Sequence, residues 1–242
     1  TVEEAFVDNR PFSAQDLPAH RPTAFEGEMP DPAQLLLCAM ALCNDTRLTG
    51  SGEVQGEPTE AALVRLAKAK GFPLEARDAR FPRLGEIPFD SERKLMTTLH
   101  PWTGGRVISF TKGAVEDVLE RSVAQAGKKG DGKPDTPVLL DQSSRIAGKG
   151  LRTLAFAFRI WEQCPDSLTS DGVETDLTLI GIIGMMDPPR PEAREAVGLC
   201  RSAGIRPVMI TGDHPLTATV IAKRIGILDE GETGVITGRD LE

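Results

Sequence analysis

The sequence lacks the clusters of cysteine and histidine from which metal sites are built. Its 242 residues include four cysteines and three histidines, with no Cys-x-x-Cys pair and no Cys/His group of zinc spacing. We therefore expect no structural metal site. The cysteines, Cys38, Cys43, Cys164 and Cys200, are interpreted as buried, reduced thiols.

Long hydrophobic runs are also missing, since no apolar run of about 18 residues, the length that spans a bilayer, occurs. The apolar stretch LTLIGIIGMM at 177–186 is too short and predicts a buried strand. The net charge of −8 disfavours nucleic acid as a partner, because a phosphate backbone binds to a basic face. A small anionic ligand is still allowed, since it needs only a local cluster of positive charge.

The common phosphate-binding motifs are absent. There is no GxxxxGK[ST] segment and no GxSxG nucleophile elbow. The glycine-rich stretch GSGEVQG at 50–56 lacks the spacing of a dinucleotide fingerprint. Any phosphate site must therefore be assembled from separate segments.

The order of apolar patterns and turn residues predicts an α/β protein in two parts, residues 1–186 and residues 187–242. The boundary is the proline-rich segment MMDPPRPEA, which stiffens the connection. In the first part we expect one or two strands within 1–12, a helix over 32–43, a helix from Pro58 to just before Gly71, a β-hairpin ending at 113 with its turn at 102–105, helices over 114–124 and 140–148, and a strand over 151–161.

The last third of the chain alternates between the two patterns. A strand over 177–186 precedes a helix over 192–203, and a strand over 206–210 precedes a helix over 215–226. Such alternation is typical of parallel βαβ units.

The segment VISFTKGAVEDVLE places Lys112 and Gly113 where a predicted strand meets a predicted helix. Because a helix N-terminus favours anions, a lysine beside it indicates a phosphate site; a solvated lysine in an ordinary turn is the alternative. The segment FDSERKLM adds Phe89, Arg93 and Lys94 near a strand that could pair with the first. An aromatic ring beside lysines suits an adenine and its phosphates, whereas a core phenylalanine with solvated lysines is the alternative.

In the segment MITGDHPLT, an apolar run ends in Thr211, Gly212 and Asp213 before a predicted helix. Loops at the carboxyl ends of parallel strands line the ligand crevice of open α/β sheets. Thr211 offers a hydroxyl to a phosphoryl oxygen, and Gly212 allows a ligand close to the backbone. A turn with a helix cap at Asp213 is the alternative.

Six segments occur in the order found in P-type ion-transporting ATPases: GEPTEAAL, FDSERKLM, FTKGA, LRTLAFAFR, GMMDPPR and MITGDHPLTA. Together they are far more specific than any one, and the resemblance covers nearly the whole chain. The sequence resembles the cytoplasmic part of the type II (E1-E2) cation pumps, which include calcium pumps. The resemblance implies a nucleotide-binding domain, a twisted antiparallel sheet flanked by helices, followed by part of a phosphorylation domain of haloacid-dehalogenase type.

The resemblance also implies roles for residues of the first part. Glu60 would contact the amino edge of adenine, and Phe89 would stack on the ring. Lys94 and Lys112 would line the pocket and guide the phosphate tail, while Gly113 would let the nucleotide approach the backbone.

Further roles are implied for residues nearer the second part. Arg152 would reach the phosphates from a neighbouring strand. Asp187 and Arg190 would lie at the hinge and face the nucleotide when the domains close. Thr211 and Asp213 would sit beside the phosphoryl group.

The sequence lacks two motifs of the family pattern. It has no DKTGT segment, whose aspartate receives the phosphoryl group, and no GDGxND segment, which holds magnesium. The segment TVEEAFVDNRPF resembles the stretch immediately C-terminal to DKTGT in the family, so we expect the chain to begin just after that motif. We expect the chain to bind ATP, with its Mg²⁺, and not to turn it over. Ser91 stands where some calcium pumps carry an arginine near the phosphates, and Arg93 is close enough to substitute.

The resemblance thus implies the ATP-binding part of a cation pump, of the calcium type, at the cytoplasmic face of a membrane-embedded parent. The transmembrane and actuator domains of that parent would be its partners. A haloacid-dehalogenase-type phosphatase is an alternative that needs a DxDxT-like nucleophile, and a non-catalytic scaffold module is another. We also expect the C-terminal region, residues 188–242, to be mobile or self-associated, because apolar stretches such as LIGIIGMM and VMIT would lack their usual neighbouring strand.

Overall fold

The computed structural model describes residues 1–21, 29–186, 191–211, 215–229, 231–232 and 234–236. One large sheet lies between two layers of helices. The strands are β1 (Val2–Val7), β2 (Arg10–Ser13), β3 (Arg47–Leu48), β4 (Val54–Gln55), β5 (Gly85–Asp90), β6 (Leu95–Pro101), β7 (Val107–Gly113), β8 (Ser122–Gln125), β9 (Arg152–Trp161) and β10 (Leu177–Met185). The helices are α1 (Pro32–Leu42), α2 (Pro58–Ala69), α3 (Arg77–Arg80), α4 (Val115–Glu120), α5 (Thr136–Ala147), α6 (Ser170–Val173), α7 (Pro191–Ser202) and α8 (Pro215–Ile225).

The sheet has eight strands, and its main path runs in the order β2-β1-β10-β9-β7-β6-β5. Every neighbouring pair on that path is antiparallel, and β8 pairs with β10 in parallel. The short strands β3 and β4 form a separate hairpin. The prediction of an antiparallel sheet flanked by helices is confirmed.

The two faces of the sheet bury different sets of side chains, because successive residues of a strand point to opposite sides. On the front face, Ile108, Phe110 and Phe156 belong to the same apolar cluster as residues of α1 and α2. On the back face, Leu95 and Ala157 cluster with residues of α4 and α5. Every residue of α1 is buried, as its almost uniformly apolar sequence predicts.

Two predicted helices have different bounds from those expected. The helix expected over 114–124 ends at Glu120, because Ser122–Gln125 form β8 beside β10. The helix expected over 140–148 begins at Thr136 instead, since the Asp135 side chain accepts a hydrogen bond from the Val138 N–H at 3.2 Å and caps it.

The interpretation of 177–186 as the first strand of a parallel βαβ unit is wrong. Residues Leu177–Met185 form β10, which lies between β1 and β9 and is antiparallel to both. Its side chains are almost all buried, so this stretch does not lack a neighbour. The reason for expecting mobility therefore does not hold for β10, and the mobility of residues 188–242 stays a prediction.

The strand predicted over 206–210 is not formed. These residues lie outside any helix or strand, and Val208 and Ile210 are 77% and 95% exposed. A strand requires a hydrogen-bonded neighbour, and the described residues place none beside this segment. The helices expected on either side are confirmed as α7 and α8, but the parallel unit they would complete is not present in the described part of the chain.

The cysteines are only partly as expected. Cys38 and Cys43 are buried, whereas Cys200 is half-buried on α7 and Cys164 is exposed. Cys164 lies in the polar segment after β9, where no helix or strand covers it. No helix among the described residues is long and apolar enough to cross a membrane.

His100 is a core residue of β6, 2% exposed. Its Nδ1 lies 3.0 Å from the Phe81 carbonyl oxygen, so Nδ1 carries the proton, and Nε2 accepts from the Thr98 hydroxyl at 3.0 Å. Burial, the largest influence, lowers the pKa of His100 from 6.5 to about 4.

We expect His100 to make the stability of the fold depend on pH. The folded pKa lies below the unfolded value, so the contribution is complete above about pH 6.5 and is lost as the pH falls towards 4. The loss should reach about 3 kcal/mol in the free energy of unfolding. Urea titrations from pH 7 to 4 should show a shallower decline in His100→Gln than in the wild type. Parallel curves would contradict this assignment.

Candidate functional site

The strands β5, β6 and β7 bring the predicted site residues to one end of the sheet. In the register of the sheet, Lys112 lies opposite Met96 on one side and opposite Phe156 on the other. Residues directly opposite each other share a face. Lys112 therefore points to the front face, together with Met96 and Phe156.

A bulge in β5 determines where Phe89 points. Ile87 pairs with Thr97 but Asp90 pairs with Leu95, so β5 has one residue more than β6 over this stretch. Ile87 packs on the back face, and without the bulge Phe89 would follow it there. The extra residue turns Phe89 to the front face beside Met96, where it is 61% exposed. The alternative of a core phenylalanine is wrong.

Lys112 is a buried residue of β7, so the alternative of a solvated lysine in a turn is wrong. Its ammonium group donates to Oε1 of Glu60 and, at 2.8 Å, to the Cys43 carbonyl oxygen. The other carboxylate oxygen of Glu60 accepts the Asp45 N–H at 3.0 Å. The side chains of Lys112 and Glu60 are 9% and 15% exposed, so the pair is largely removed from water.

The cap of α2 places Glu60 for this contact. The Glu57 carboxylate accepts the N–H groups of Thr59 at 2.8 Å and of Glu60 at 3.2 Å, and Pro58 occupies the first helical position. Glu60 therefore lies in the first turn of a helix that packs over the front face of the sheet.

The interpretation of Lys112 as a partner of a helix N-terminus is also wrong. The strand β7 continues through Gly113, and the six-residue helix α4 starts at Val115. Its first turn carries Glu116 and Asp117, whose charges disfavour an anion there. Lys112 points instead to the face that α2 covers.

Cys43 lies against the same ion pair. Burial raises the pKa of the Cys43 thiol, and the nearby charge of Lys112 lowers it only in part. Its Sγ lies 3.5 Å from the Met96 carbonyl oxygen. This thiol therefore stays protonated near neutral pH and acts as a packing residue.

Gly113 is required by the close approach of β6. A Cβ atom at Gly113 would lie 2.3 Å from the Lys94 carbonyl oxygen and 2.4 Å from a methyl carbon of Leu95. Lys94 has a positive φ of 54° and is exposed at the end of the β5–β6 turn. The described neighbour at this glycine is the backbone that carries Lys94; approach of a nucleotide to Gly113 stays a prediction.

The β5–β6 turn is ordered by its own side chains. Oδ1 of Asp90 accepts the N–H groups of Glu92 and Arg93, each at 3.0 Å. The N–H of Arg93 is the strongest of the influences that lower the pKa of Asp90. The Arg93 guanidinium points away from Lys112 and contacts Glu174, a residue of the segment between α6 and β10.

Arg152 begins β9 and shares the front face with Phe156, since the two are four residues apart in the strand. It is exposed, and with Pro58, Thr59 and Ala62 of α2 it lines a small cavity. Arg152 is thus on the same side of the sheet as Glu60, about 13 Å along β9 from the level of Lys112.

The remaining predicted residues are not brought into this site. Asp187, Arg190 and Asp213 lie outside the described residues. Thr211 is exposed and lies outside any helix or strand. Their expected roles stay predictions.

Four groups at the site were not predicted from the sequence. The Cys43 carbonyl and the Asp45 N–H bind Lys112 and Glu60, and main-chain groups leave no pattern in a sequence. Glu174 is distant in sequence from its partner Arg93. Met96 stood within the segment FDSERKLM and could have been found from its strand alternation with Lys94.

Comparison with known proteins places this chain in a family. The family model described as "P-type ATPase, cytoplasmic domain N" matches residues 33–192, more than half of the chain. The chain belongs to this P-type cation ATPase family. The matched range contains the front-face residues on β5, β6, β7 and β9.

Individual relatives of this P-type ATPase chain extend the match. "Calcium-transporting ATPase 1" of Lactococcus lactis subsp. lactis (strain IL1403) is 40% identical over 229 residues, which cover 91% of this chain and 26% of the relative. "Cation-transporting ATPase pma1" of Synechocystis sp. is 40% identical over 220 residues, covering 89% and 24%. "Calcium-transporting ATPase" of Bacillus subtilis is 37% identical over 206 residues, covering 81% and 23%. The chain spans about a quarter of the length of these curated relatives.

We expect Gly113→Ala to destabilise the chain by about 1–3 kcal/mol, because the new methyl group overlaps the Lys94 carbonyl. The free energy of unfolding in urea measures the loss. Gly50→Ala is the matched control: no atom lies within 4 Å of its Cβ position, so a change within about 0.5 kcal/mol is expected. Equal effects in the two variants would contradict the proposed overlap.

Proposed function

We propose that this chain binds ATP on the front face of its sheet, as the nucleotide-binding domain of a P-type cation pump of the calcium-transporting kind. The observation that carries the proposal is the shared face of Phe89 and the Lys112–Glu60 pair. Membership of the family and the names of the relatives support the same function.

The adenine ring fits between Phe89 and Lys112. Phe89 lies on β5 and Lys112 on β7, two strand spacings away, so about 10 Å separates their backbones. The exposed ring of Phe89 offers a stacking surface of the kind that bases prefer. The carboxylate of Glu60 accepts hydrogen bonds and would take the exocyclic amino group of adenine, which guanine lacks at that position.

The phosphates would lie toward the exposed cations of the same face. Lys94 ends the turn that carries Phe89, and Arg152 lies beyond Lys112 at the start of β9. An arginine fork pairs well with phosphate oxygens, and a lysine supplies a mobile positive charge. Mg²⁺ would arrive with the phosphates, because phosphate oxygens are usual ligands of Mg²⁺ in nucleotide sites.

In the whole pump, this domain would present the γ-phosphoryl group of ATP to an aspartate carboxylate, with ADP leaving. The sequence contains no DKTGT segment, so that aspartate belongs to another part of the pump. The proposed partners are therefore the remaining pump domains, transmembrane and actuator, with this domain at the cytoplasmic face. The chain by itself should bind ATP without turnover.

We expect calorimetry to show binding of ATP and ADP and much weaker binding of GTP. Phe89→Ala should weaken ATP binding by about 10-fold to 100-fold, because one stacked base contributes about 1–3 kcal/mol. Val123→Ala is the matched control, since Val123 is also 61% exposed and lies on β8 away from the site. It should leave ATP affinity unchanged.

A flat ATP titration with a folded wild-type chain would overturn the proposal and favour a scaffold module. Equal affinity for ATP and GTP would contradict the role of Glu60. Removing Lys112 is a poor first test, because it leaves the buried Glu60 carboxylate without its charge partner.

A further inference from the structure

A second buried ion pair lies behind the β5–β6 turn, on the opposite face from Lys112. The side chain of Glu174 is 0% exposed, and Nη1 of Arg93 contacts both of its carboxylate oxygens, with Oε2 at 2.6 Å. The Thr97 hydroxyl donates to Oε1 at 2.8 Å and lies 2.8 Å from the Thr111 hydroxyl. Since a buried carboxylate is strongly destabilised without such partners, Glu174 fixes the position of the Arg93 guanidinium.

The same guanidinium holds the bulge. Nη2 of Arg93 donates to the carbonyl oxygen of Pro88, the residue before Phe89. The backbone N–H of Arg93 is bound to Asp90 on the other side of the bulge. Arg93 thus connects both ends of the bulged segment to Glu174.

The two ion pairs lie on opposite sides of the same strands. Thr111 and Lys112 are consecutive in β7, so Thr111 points to the back face and Lys112 to the front face. Glu174 binds the Thr97 and Thr111 side of the sheet. A nucleotide on the front face is separated from the Arg93–Glu174 pair by the sheet itself.

We propose that Arg93 is a positioning residue and not a phosphate ligand: through Glu174 and Pro88 it holds the bulge that turns Phe89 toward the nucleotide. This inference rests on the proposed ATP site. It replaces the expectation that Arg93 substitutes for an arginine at position 91.

The two roles predict different effects on different nucleotides. If Arg93 bound a phosphate, Arg93→Gln would weaken ATP binding more than AMP binding, whereas a misplaced Phe89 weakens both by the same factor. We expect a loss of about tenfold for each nucleotide. Glu174→Gln should produce the same pattern, although Glu174 cannot reach the ligand.

A double-variant cycle and a control complete the binding experiment. Arg93→Gln combined with Glu174→Gln should be no weaker than either single variant, because both act through one ion pair. Arg201→Gln is the control, since Arg201 also pairs with a carboxylate, that of Asp229 at 3.0 Å, but lies on α7. It should leave ATP and AMP affinities unchanged. Arg93→Lys keeps the charge but cannot reach Glu174 and Pro88 together, so we expect an intermediate loss of nucleotide affinity. If the Gln variants unfold, this variant should still fold and can be measured in their place.

Amide hydrogen exchange tests the turn without any nucleotide. The N–H of Lys94 is bound to the Asp90 carbonyl at 2.6 Å, and the N–H of Ala114 to the Lys94 carbonyl at 3.2 Å. Both should exchange faster in Glu174→Gln and in Arg93→Lys, while the amides of β10 keep their rates. Faster exchange in a chain that binds no ATP would overturn the proposed function and leave the role of the ion pair in the turn standing. Unchanged exchange, or a greater loss for ATP than for AMP, would overturn the inference.

Discussion

The site depends on the need of two buried charges for each other. Lys112 and Glu60 come from different layers, a central strand and the first turn of a covering helix, and both are largely removed from water. Removing either side chain would leave the other charge largely buried and without its ion-pair partner, which lowers the stability of the fold. Their pairing therefore sets how α2 lies on the sheet, and the Cys43 carbonyl and the Asp45 N–H draw the end of α1 into the same contact. The front face near β7 is organised around this one interaction.

Around that pair, the two faces of the sheet carry different groups. The front face carries the exposed ring of Phe89 and the cation Arg152. The back face carries the Arg93–Glu174 pair, and the same guanidinium contacts the Pro88 carbonyl oxygen. The bulge in β5 joins the two, because one extra residue reverses the direction in which Phe89 points. The β5–β6 turn is a place where a small structural change would alter a large part of the site.

The two parts of the chain differ in how completely they are formed. Residues through β10 form one sheet with helices on both faces, and its strands β6, β7 and β10 are almost entirely buried. Beyond β10, α7 and α8 flank a segment at 205–211 that keeps apolar side chains exposed. A strand cannot form without a neighbour to receive its hydrogen bonds. The strands of the first part have partners within the chain, whereas the strand expected in the second part has none among the described residues.

Much of the architecture was determined by the sequence alone. Local rules were sufficient wherever the cause is local: Pro58 and Gly71 bound α2, glycines set the turn between β6 and β7, and uniform hydrophobicity placed α1 in the core. The candidate site residues Glu60, Phe89 and Lys112 could be named because their segments have a recognisable order. Only the tertiary structure decided which face each of them occupies, since strand register, the bulge in β5 and the partners of buried charges are set by residues distant in the sequence. The same reason explains the two errors in the strands: β10 and the segment at 206–210 look alike as apolar runs, and only the presence or absence of neighbouring strands among the described residues distinguishes them.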